Sequence, residues 1–547
     1  MNADTLPALF RAQAERFGPR VALRFKKHGL YHDLRWDEYR DQVSACAAAL
    51  IQHGILAGDR VAILAENSVP WLVADMAILS IGAVNVPLHA PLSAEQIRWQ
   101  LDNAGAKWIF ASNQGQFDKI LQIQHELPGL NGVVRFDDVA ENALTWRGFL
   151  QRGRAARVSL HAELSRRAAQ LKPDDLATII YTSGTTSNPK GVMLTAGNLL
   201  SNALAFRKVS SFSADSVFLN WLPFSHIYAR TVDIYVWLAV GATLCLADSA
   251  ETAVANLMEI QPTNMSGVPR FYEKVLTAVQ DANPEILNKK LRGIFGPRVD
   301  FLGSGGAPLP LAVAEAYQRA GLLLLQGYGL TESSPVISFN RKDAYKLESV
   351  GRPIPGVEVR IGLDGEVLSR GPHIMKGYWQ NTQETAVALV DGWLHTGDLG
   401  RLDDDGYLHI TGRKKELLVL SNGKKVIPSH LEGLLLGDPC IDQAVVCGEG
   451  RNFLTALIVP HWANLTTVLG LPGLPETLAR DPKVRTFLET RIAQALRPVA
   501  AWEQVRKIVL LAQPFSAANE ELTVSLKLRR RVIVEHHRDE IEALYRE

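Results

Sequence analysis

The stretch Arg60–Leu88, RVAILAENSVPWLVADMAILSIGAVNVPL, decides the fold. VAILAE is a short apolar run that reads as a strand, WLVADMAILSIGA is long enough for a buried helix, and VNVPL is a second apolar run. Strand, helix and strand in that order make a βα unit, whose repetition builds a parallel sheet with helices on its faces. Further along, Ser93 and Gln96 form a capping box ahead of Ile97 and Leu101, Gly105 closes that helix, and WIFAS from Trp108 reads as the next strand. The rhythm returns with LATIIYT at Leu176 and VDFLGSGG at Val299. The expected class is α/β: a large N-terminal body of doubly wound βα subdomains with a β-rich subdomain, followed by a small α+β C-terminal domain. The boundary is expected where a β-rich stretch full of Gly and Asp turns (GEVLSRGPHIMKGYW, then DGWLHTGDLGRLDDDGYLHITG) meets the charge cluster Arg413, Lys414, Lys415 and Glu416, giving domains 1–412 and 413–547. Neither a short repeat nor a low-complexity tract interrupts the chain.

At 547 residues the chain exceeds one ordinary core. A net charge of +1 gives no electrostatic case for nucleic acid or an anionic membrane surface, and suits an enzyme of small molecules. The four cysteines, Cys46, Cys245, Cys440 and Cys447, include no CxxC pair and point to a reducing cytoplasm. The opening MNADTLPALFRAQAERFG carries charges where a signal peptide needs an apolar stretch, and its Leu6, Leu9, Phe10, Ala14 and Phe17 follow helical spacing. The longest apolar run, Ile234 to Ala247, is too short to span a bilayer and contains Gly241, so it reads as a buried helix leading into a strand. No transmembrane segment is expected.

The strongest chemical signal is YTSGTTSNPKG, Tyr181–Gly191, read as following the strand LATIIYT and preceding a helix capped by Thr195. Gly184, with the backbone amides and hydroxyls of Ser183, Thr185 and Thr186, suits closure around phosphate oxygens, and Lys190 adds positive charge. A Walker A loop is excluded. Counted from Gly184, Lys190 has the right offset, but Pro189 stands in place of the second glycine and Gly191 in place of the magnesium-ligating hydroxyl.

At this loop the sequence resembles the acyl-adenylate-forming enzymes, the superfamily of acyl-CoA synthetases, peptide-synthetase adenylation domains and firefly luciferase. LPFSHIYAR at Leu222, GVPRFYEKV at Gly267, SGGAPLP at Ser304, QGYGLTE at Gln326, VGRPIPGVEV at Val350, WLHTGDLG at Trp393, GRKKELLVLSNGKKVIP at Gly412 and ELTVSLKLRR at Glu521 occur in the family's order and span nearly the whole chain. SHIYART, VPRFYEK, LQGYGLTESSPVIS and VLSNGKKV look most like long-chain fatty acyl-CoA synthetases.

The resemblance implies ATP, Mg²⁺ and coenzyme A as the small molecules used with a fatty acid. Thr182, Ser183, Gly184, Thr185, Thr186 and Lys190 are expected around the phosphates. Gly305, Gly306 and Ala307 lack bulk, so adenine can lie against their backbone with Tyr328 stacking on its other face, although such glycines also serve packing. Gln326, Gly327, Gly329 and Thr331 complete that nucleotide wall. Glu332, with Thr185, is the expected magnesium ligand. Asp398 would accept the ribose hydroxyls, and Arg413 would reach the ribose or phosphates. His226 would border the acyl and α-phosphate site, in an aromatic and aliphatic stretch from Trp221 through Trp237 that suits an alkyl pocket or, equally, a buried helix. Lys527 matches the lysine that neutralises charge as the carboxylate attacks. Alone, a lysine before Arg529, Arg530 and Arg531 would read as a solvent-facing basic helix.

The resemblance also implies two half-reactions in one site. The small domain is expected to be mobile, turning about Lys414 between them, with Ser421 to Gly423 near the pantetheine arm. Two positions depart from the family pattern: Ser187 stands where a glycine is usual, and His430 where a glutamate is common, while Glu432 keeps the second acidic position. Three other readings stand beside this one: a fatty acyl-AMP ligase that loads an acyl-carrier protein, a ligase of another lipophilic acid, and a silent nucleotide or carboxylate sensor. Transient contact of a cytoplasmic enzyme with a bilayer, to collect fatty acid, needs no anchor.

Overall fold

The computed structural model describes residues 3–137, 144–182, 189–279, 283–516, 518–522 and 528–546. They divide into two compact units: Met1–Leu309, Val313–Arg360 and Leu368–His395 form the larger, and Pro310–Ala312, Ile361–Val367 and Thr396–Glu547 the smaller.

Two large sheets lie wholly within the larger unit among its described residues. The eight-stranded sheet runs in the order Gly377–Tyr378, Lys190–Thr195, Leu176–Thr182, Val84–Leu88, Arg60–Leu64, Ala106–Ala111, Gly132–Arg135 and Leu144–Thr145. Its strands are parallel from Leu176–Thr182 onward. The nine-stranded sheet has a parallel centre from Leu324–Gly329 through Phe301–Ser304, Asn264–Gly267, Val217–Asn220 and Thr243–Leu246 to Val21–Lys27, with antiparallel strands at both edges. The reading of Arg60–Leu88 holds: Val69–Ser80 is the crossover helix, almost wholly apolar because it lies between the sheets. Its neighbours Leu6–Phe17, Trp36–Gln52 and Ala196–Val209 contribute to the same core, which takes Val61, Ile63 and Phe110 from one sheet and Phe218, Leu244 and Phe339 from the other. Separate apolar clusters cover the outer faces. Both faces of each sheet are therefore covered, as parallel strands require.

Local signals act as their chemistry predicts. Ser93 Oγ accepts the Gln96 backbone N–H at 3.3 Å, the Gln96 side-chain Oε1 accepts the Ser93 N–H at 3.0 Å, and Gly105 ends the helix Ala94–Ala104 at φ 61°. The apolar run from Ile234 passes through Val236–Val240 into the strand Thr243–Leu246, with Gly241 at φ 78° making the turn. Among the described residues no helix is long and apolar enough to cross a membrane.

In the smaller unit, Ile441–Cys447 pairs antiparallel with Leu454–Pro460, which pairs parallel with Val505–Leu510. Helices Pro428–Leu436 and Pro482–Ala495 contribute Leu431, Leu435, Val484 and Leu488 to the core below this sheet.

Candidate functional site

Ser183, Gly184, Thr185, Thr186 and Ser187 lie outside the described residues, so the structure is informative about their two flanks. The strand Leu176–Thr182 carries Thr182 to the end of the sheet, and the chain returns as the antiparallel strand Lys190–Thr195, with Thr182 opposite Lys190. The helix capped by Thr195 is present as read, but a strand that the sequence reading did not give lies before it. A strand, not a helix, follows the loop, and the helix Ala196–Val209 starts only beyond it, with Thr195 and Asn198 forming its capping box. No helix N-terminus directly follows the loop, and the positive charge at its described flank is that of Lys190.

Lys190 is held in place from across the sheet edge. The short strand Gly377–Tyr378 pairs with Lys190–Thr195, Tyr378 opposite Val192, and side chains two residues apart on a strand share a face. Lys190 Nζ consequently lies 5.2 Å from the centre of the Tyr378 ring and 2.5 Å from Glu384 Oε2. Tyr378 in turn donates its hydroxyl to Glu332 Oε1 at 2.9 Å. Lys190 and Glu332, 142 positions apart in sequence, thus belong to one cluster through Tyr378. Sequence spacing did not single out Tyr378 or Glu384.

Glu332 sits in the turn Thr331–Ser333, whose exit is fixed by buried Asn202: its amide donates to Val336 O at 2.8 Å and its carbonyl accepts the Val336 N–H at 3.1 Å. Thr231 donates to Ser334 O and Ser334 to His373 O, each at 2.8 Å. The Glu332 carboxylate is partly exposed. Among the described residues no three His, Cys, Asp or Glu side chains gather as a metal cage. One carboxylate of this kind suits an ion that arrives already bound to a polyphosphate, the usual habit of magnesium.

The residues expected at adenine come together at neighbouring strand ends. Ser304 and Gln326 are partners in adjacent parallel strands, which places Gly305, Gly306 and Ala307 beside Gln326, Gly327, Tyr328 and Gly329. One of the glycines is required by close approach, and another packs tightly. A Cβ on Gly329 would lie 1.8 Å from the Pro335 carbonyl oxygen, and one on Gly305 would lie 3.1 Å from the Tyr228 ring.

The Tyr228 ring belongs to the turn that carries His226. The His226 Nδ1 accepts the Tyr228 backbone N–H at 3.2 Å, so the ring proton of the neutral imidazole sits on Nε2. Tyr228 donates to Gly267 O at 3.4 Å, and burial pushes its phenol up. The chain then makes a π-helical turn, Ala229–Tyr235, buried throughout. Its two charges have internal partners. Arg230 pairs with Asp75 and donates to Thr178 Oγ1 at 2.7 Å. Asp233 accepts from Asn220 at 2.7 Å, while burial raises its carboxyl to about 6 against that bond. Trp237 stacks on Trp36 with ring centres 4.7 Å apart, so this end of the aromatic stretch is core packing, whereas Trp221 is only partly buried against Phe271. An open cavity of about 490 Å³, walled in part by Phe25, Val69, Phe136 and Trp146, shares none of the predicted site residues; Asn67, on its wall, bonds Asn220, Leu222 and Phe224.

In the smaller unit Asp398 and Arg413 are cross-strand partners, and the guanidinium Nε lies 2.7 Å from the buried carboxylate. Lys414 reaches Asp364 at 2.6 Å and Glu366 at 3.1 Å, and these bonds raise its pKa. Ser421 donates its N–H to Arg451 O, and Gly423, at φ 79°, turns the chain between the strands Leu418–Val419 and Lys425–Val426. Lys527 lies outside the described residues, but its flanks are anchored. Leu522 bridges Leu528, Arg529 N–H donates to Glu521 O at 2.7 Å, and Arg530 forks onto both oxygens of Glu432 at 2.7 Å. Arg530 is therefore not the solvent-facing charge that the basic run implies. The retained acid Glu432 also accepts the Val446 N–H at 2.7 Å.

The family model for the AMP-binding enzyme matches residues 10–379, and that for the AMP-binding enzyme C-terminal domain matches residues 415–547. A long-chain-fatty-acid–CoA ligase of Mycobacterium bovis is 34% identical over 94% of this chain and 93% of its own length. One from Xenopus laevis is 28% identical over 99% of this chain and 84% of its own. The crystal structure of an anthranilate CoA ligase in complex with anthranoyl-AMP superposes with a TM-score of 0.82 at 20% identity, covering 98% of each chain.

Proposed function

Because the chain belongs to the AMP-binding enzyme family, we propose that it is an AMP-forming fatty-acid–CoA ligase. A fatty-acid carboxylate oxygen attacks the α-phosphorus of ATP, the bond to the β-phosphate oxygen breaks, and acyl-AMP and pyrophosphate form. The coenzyme A thiolate then attacks the acyl carbon and AMP leaves. The observation that carries this reading is the full-length likeness, at 34% identity, to a long-chain-fatty-acid–CoA ligase.

The chain's own residues divide the work between the units. In the larger, Thr182, Ser183, Gly184, Thr185, Thr186 and Lys190 hold the triphosphate; Glu332, with Thr185, holds the magnesium that ATP brings; Gly305 to Ala307 and Gln326 to Thr331 hold adenine; and His226 donates from Nε2 at the reacting carboxyl. In the smaller, Asp398 and Arg413 serve the ribose, Lys527 the developing negative charge, and Ser421 to Gly423 the pantetheine arm. We assign the functional boundary to residues 412 and 413, with Lys414 as the pivot between half-reactions. The four cysteines, all buried and unpaired, accord with a cytoplasmic setting.

The test is pyrophosphate release with ATP and magnesium across saturated fatty acids of graded length, with and without coenzyme A. The expected products are pyrophosphate, AMP and acyl-CoA. Adenylate that accumulates without thioester would move the assignment to a ligase loading an acyl-carrier protein, and ADP or no product would sink it. Glu332→Gln still accepts the Tyr378 hydroxyl but loses its charge, so kcat/KM for magnesium-ATP is expected to fall on the order of a hundredfold with the fold intact.

A further inference from the structure

The structure points to a second imidazole behind His226. His89 directly follows the strand Val84–Leu88, which lies parallel to Leu176–Thr182 and next to it, so His89 stands at the same end of the sheet as Thr182. Its Nδ1 lies 2.7 Å from Ser225 Oγ, and its ring centre lies 6.5 Å from that of His226 at an interplanar angle of 26°. The next carbonyl, Ala90 O, accepts from Lys119 Nζ at 2.9 Å and Gln116 Nε2 at 3.0 Å, which fixes the backbone that presents the ring. Ser225 is buried and sits immediately before His226, whose tautomer is already set by the Tyr228 N–H. Burial lowers the His89 pKa to about 4, so the ring is neutral at physiological pH and interacts as a hydrogen-bonding group, not as a charge.

A hydroxyl–imidazole bond at a sheet end gains little as packing, because both groups give up water to make it. What it gains is direction. With Ser225 tied to the strand Val84–Leu88 through His89, the turn 222–228 is held between one sheet and Gly267 of the other. We propose that His89 is a positioning residue of the adenylation half-reaction: through Ser225 it fixes the turn on which His226 presents its Nε2 proton to the carboxyl group being activated. This rests on the ligase reading above.

Four proteins test it: His89→Ala, His89→Asn, Ser225→Ala and the double variant His89→Ala with Ser225→Ala, each compared with wild type on the saturated acid that wild type uses fastest. Adenylation is read by ATP–pyrophosphate exchange, and thioester formation by supplying synthetic acyl-AMP and coenzyme A. Misplacing a reacting group by an ångström can cost about a hundredfold. The expected result is a roughly ten- to hundredfold fall in exchange kcat for His89→Ala, with KM for ATP unchanged. Ser225→Ala should match it, the double variant should be no slower, and His89→Asn, which keeps a polar atom where Nδ1 lies, should recover most of the rate. Thioester formation from supplied acyl-AMP should stay near wild type. Undiminished exchange in His89→Ala, equal loss in both half-reactions, multiplying losses in the double variant, or His89→Asn as slow as His89→Ala would each overturn the role of His89. A wild-type protein that makes no adenylate would instead overturn the ligase reading itself.

Discussion

Lys527→Ala is expected to slow adenylate formation by about 10²- to 10³-fold while leaving thioester formation from supplied acyl-AMP nearly unchanged. A preorganised charge aimed at developing negative charge is worth about that factor, and the residue has no part in the attack of the thiol on the acyl carbon. The fold change should be local. The Leu522–Leu528 bridge, the Arg529 to Glu521 bond and the Arg530 fork on Glu432 all lie outside the substituted position. The measurement pairs ATP–pyrophosphate exchange with coenzyme A consumption on synthetic acyl-AMP, and Lys527→Arg adds a charge control. Equal losses in the two half-reactions would remove Lys527 from the chemistry. A retained exchange rate would assign the charge to Lys190 or Arg413 instead.

Features that depend on a few adjacent residues were legible in the sequence. The capping box of Ser93 and Gln96, the Gly105 terminus, the βα rhythm from Arg60 and the turn at Gly241 each follow from local hydrogen bonding or backbone freedom, and the structure carries them as read. The order of the motifs likewise pointed to the family, since it samples the whole chain. What was not legible involves partners far apart. Lys190 reads as the last charge of a loop before a helix, because taking Lys190 and Gly191 with the loop leaves only Val192, Met193 and Leu194 ahead of the Thr195 cap; pairing with Leu176–Thr182 and Gly377–Tyr378 makes the whole stretch a strand. Tyr378 and Glu384 enter the site by that same pairing, and Glu384 lies 194 positions from the lysine it meets. His89 gave no signal either, since its partner Ser225 is 136 positions away. Arg530 misleads in the opposite direction. Three consecutive arginines look solvated, yet the helical turn from Arg530 aims one of them at Glu432, where the ion pair outweighs the cost of burial and raises the guanidinium pKa.

The same logic of paired burial yields the largest expected loss of stability. Arg230 closes the motif LPFSHIYAR and Asp75 lies 155 positions before it, and both side chains are almost completely withdrawn from solvent, at 0% and 2% exposure. Asp75 also accepts from Asn85 at 2.6 Å and Tyr235 at 3.0 Å, and Arg230 donates to Thr178, so the cluster joins the helix Val69–Ser80, the π-helical turn and two strands of the eight-stranded sheet. Arg230→Leu removes one partner and leaves a buried carboxylate with two neutral donors, a change that costs about 3–5 kcal/mol. At roughly 2 °C per kcal/mol for a large domain, the melting transition of the larger unit should fall by about 6–10 °C. The double variant Asp75→Asn with Arg230→Leu removes the stranded charge as well, so it should recover part of the loss even though it contains one more substitution. Scanning calorimetry of the three proteins decides between the two sources of that cost. Recovery in the double variant identifies the unpaired charge as the penalty, whereas a further drop would mean that the Arg230 side chain contributes mainly through its packing over Trp71 and Tyr235.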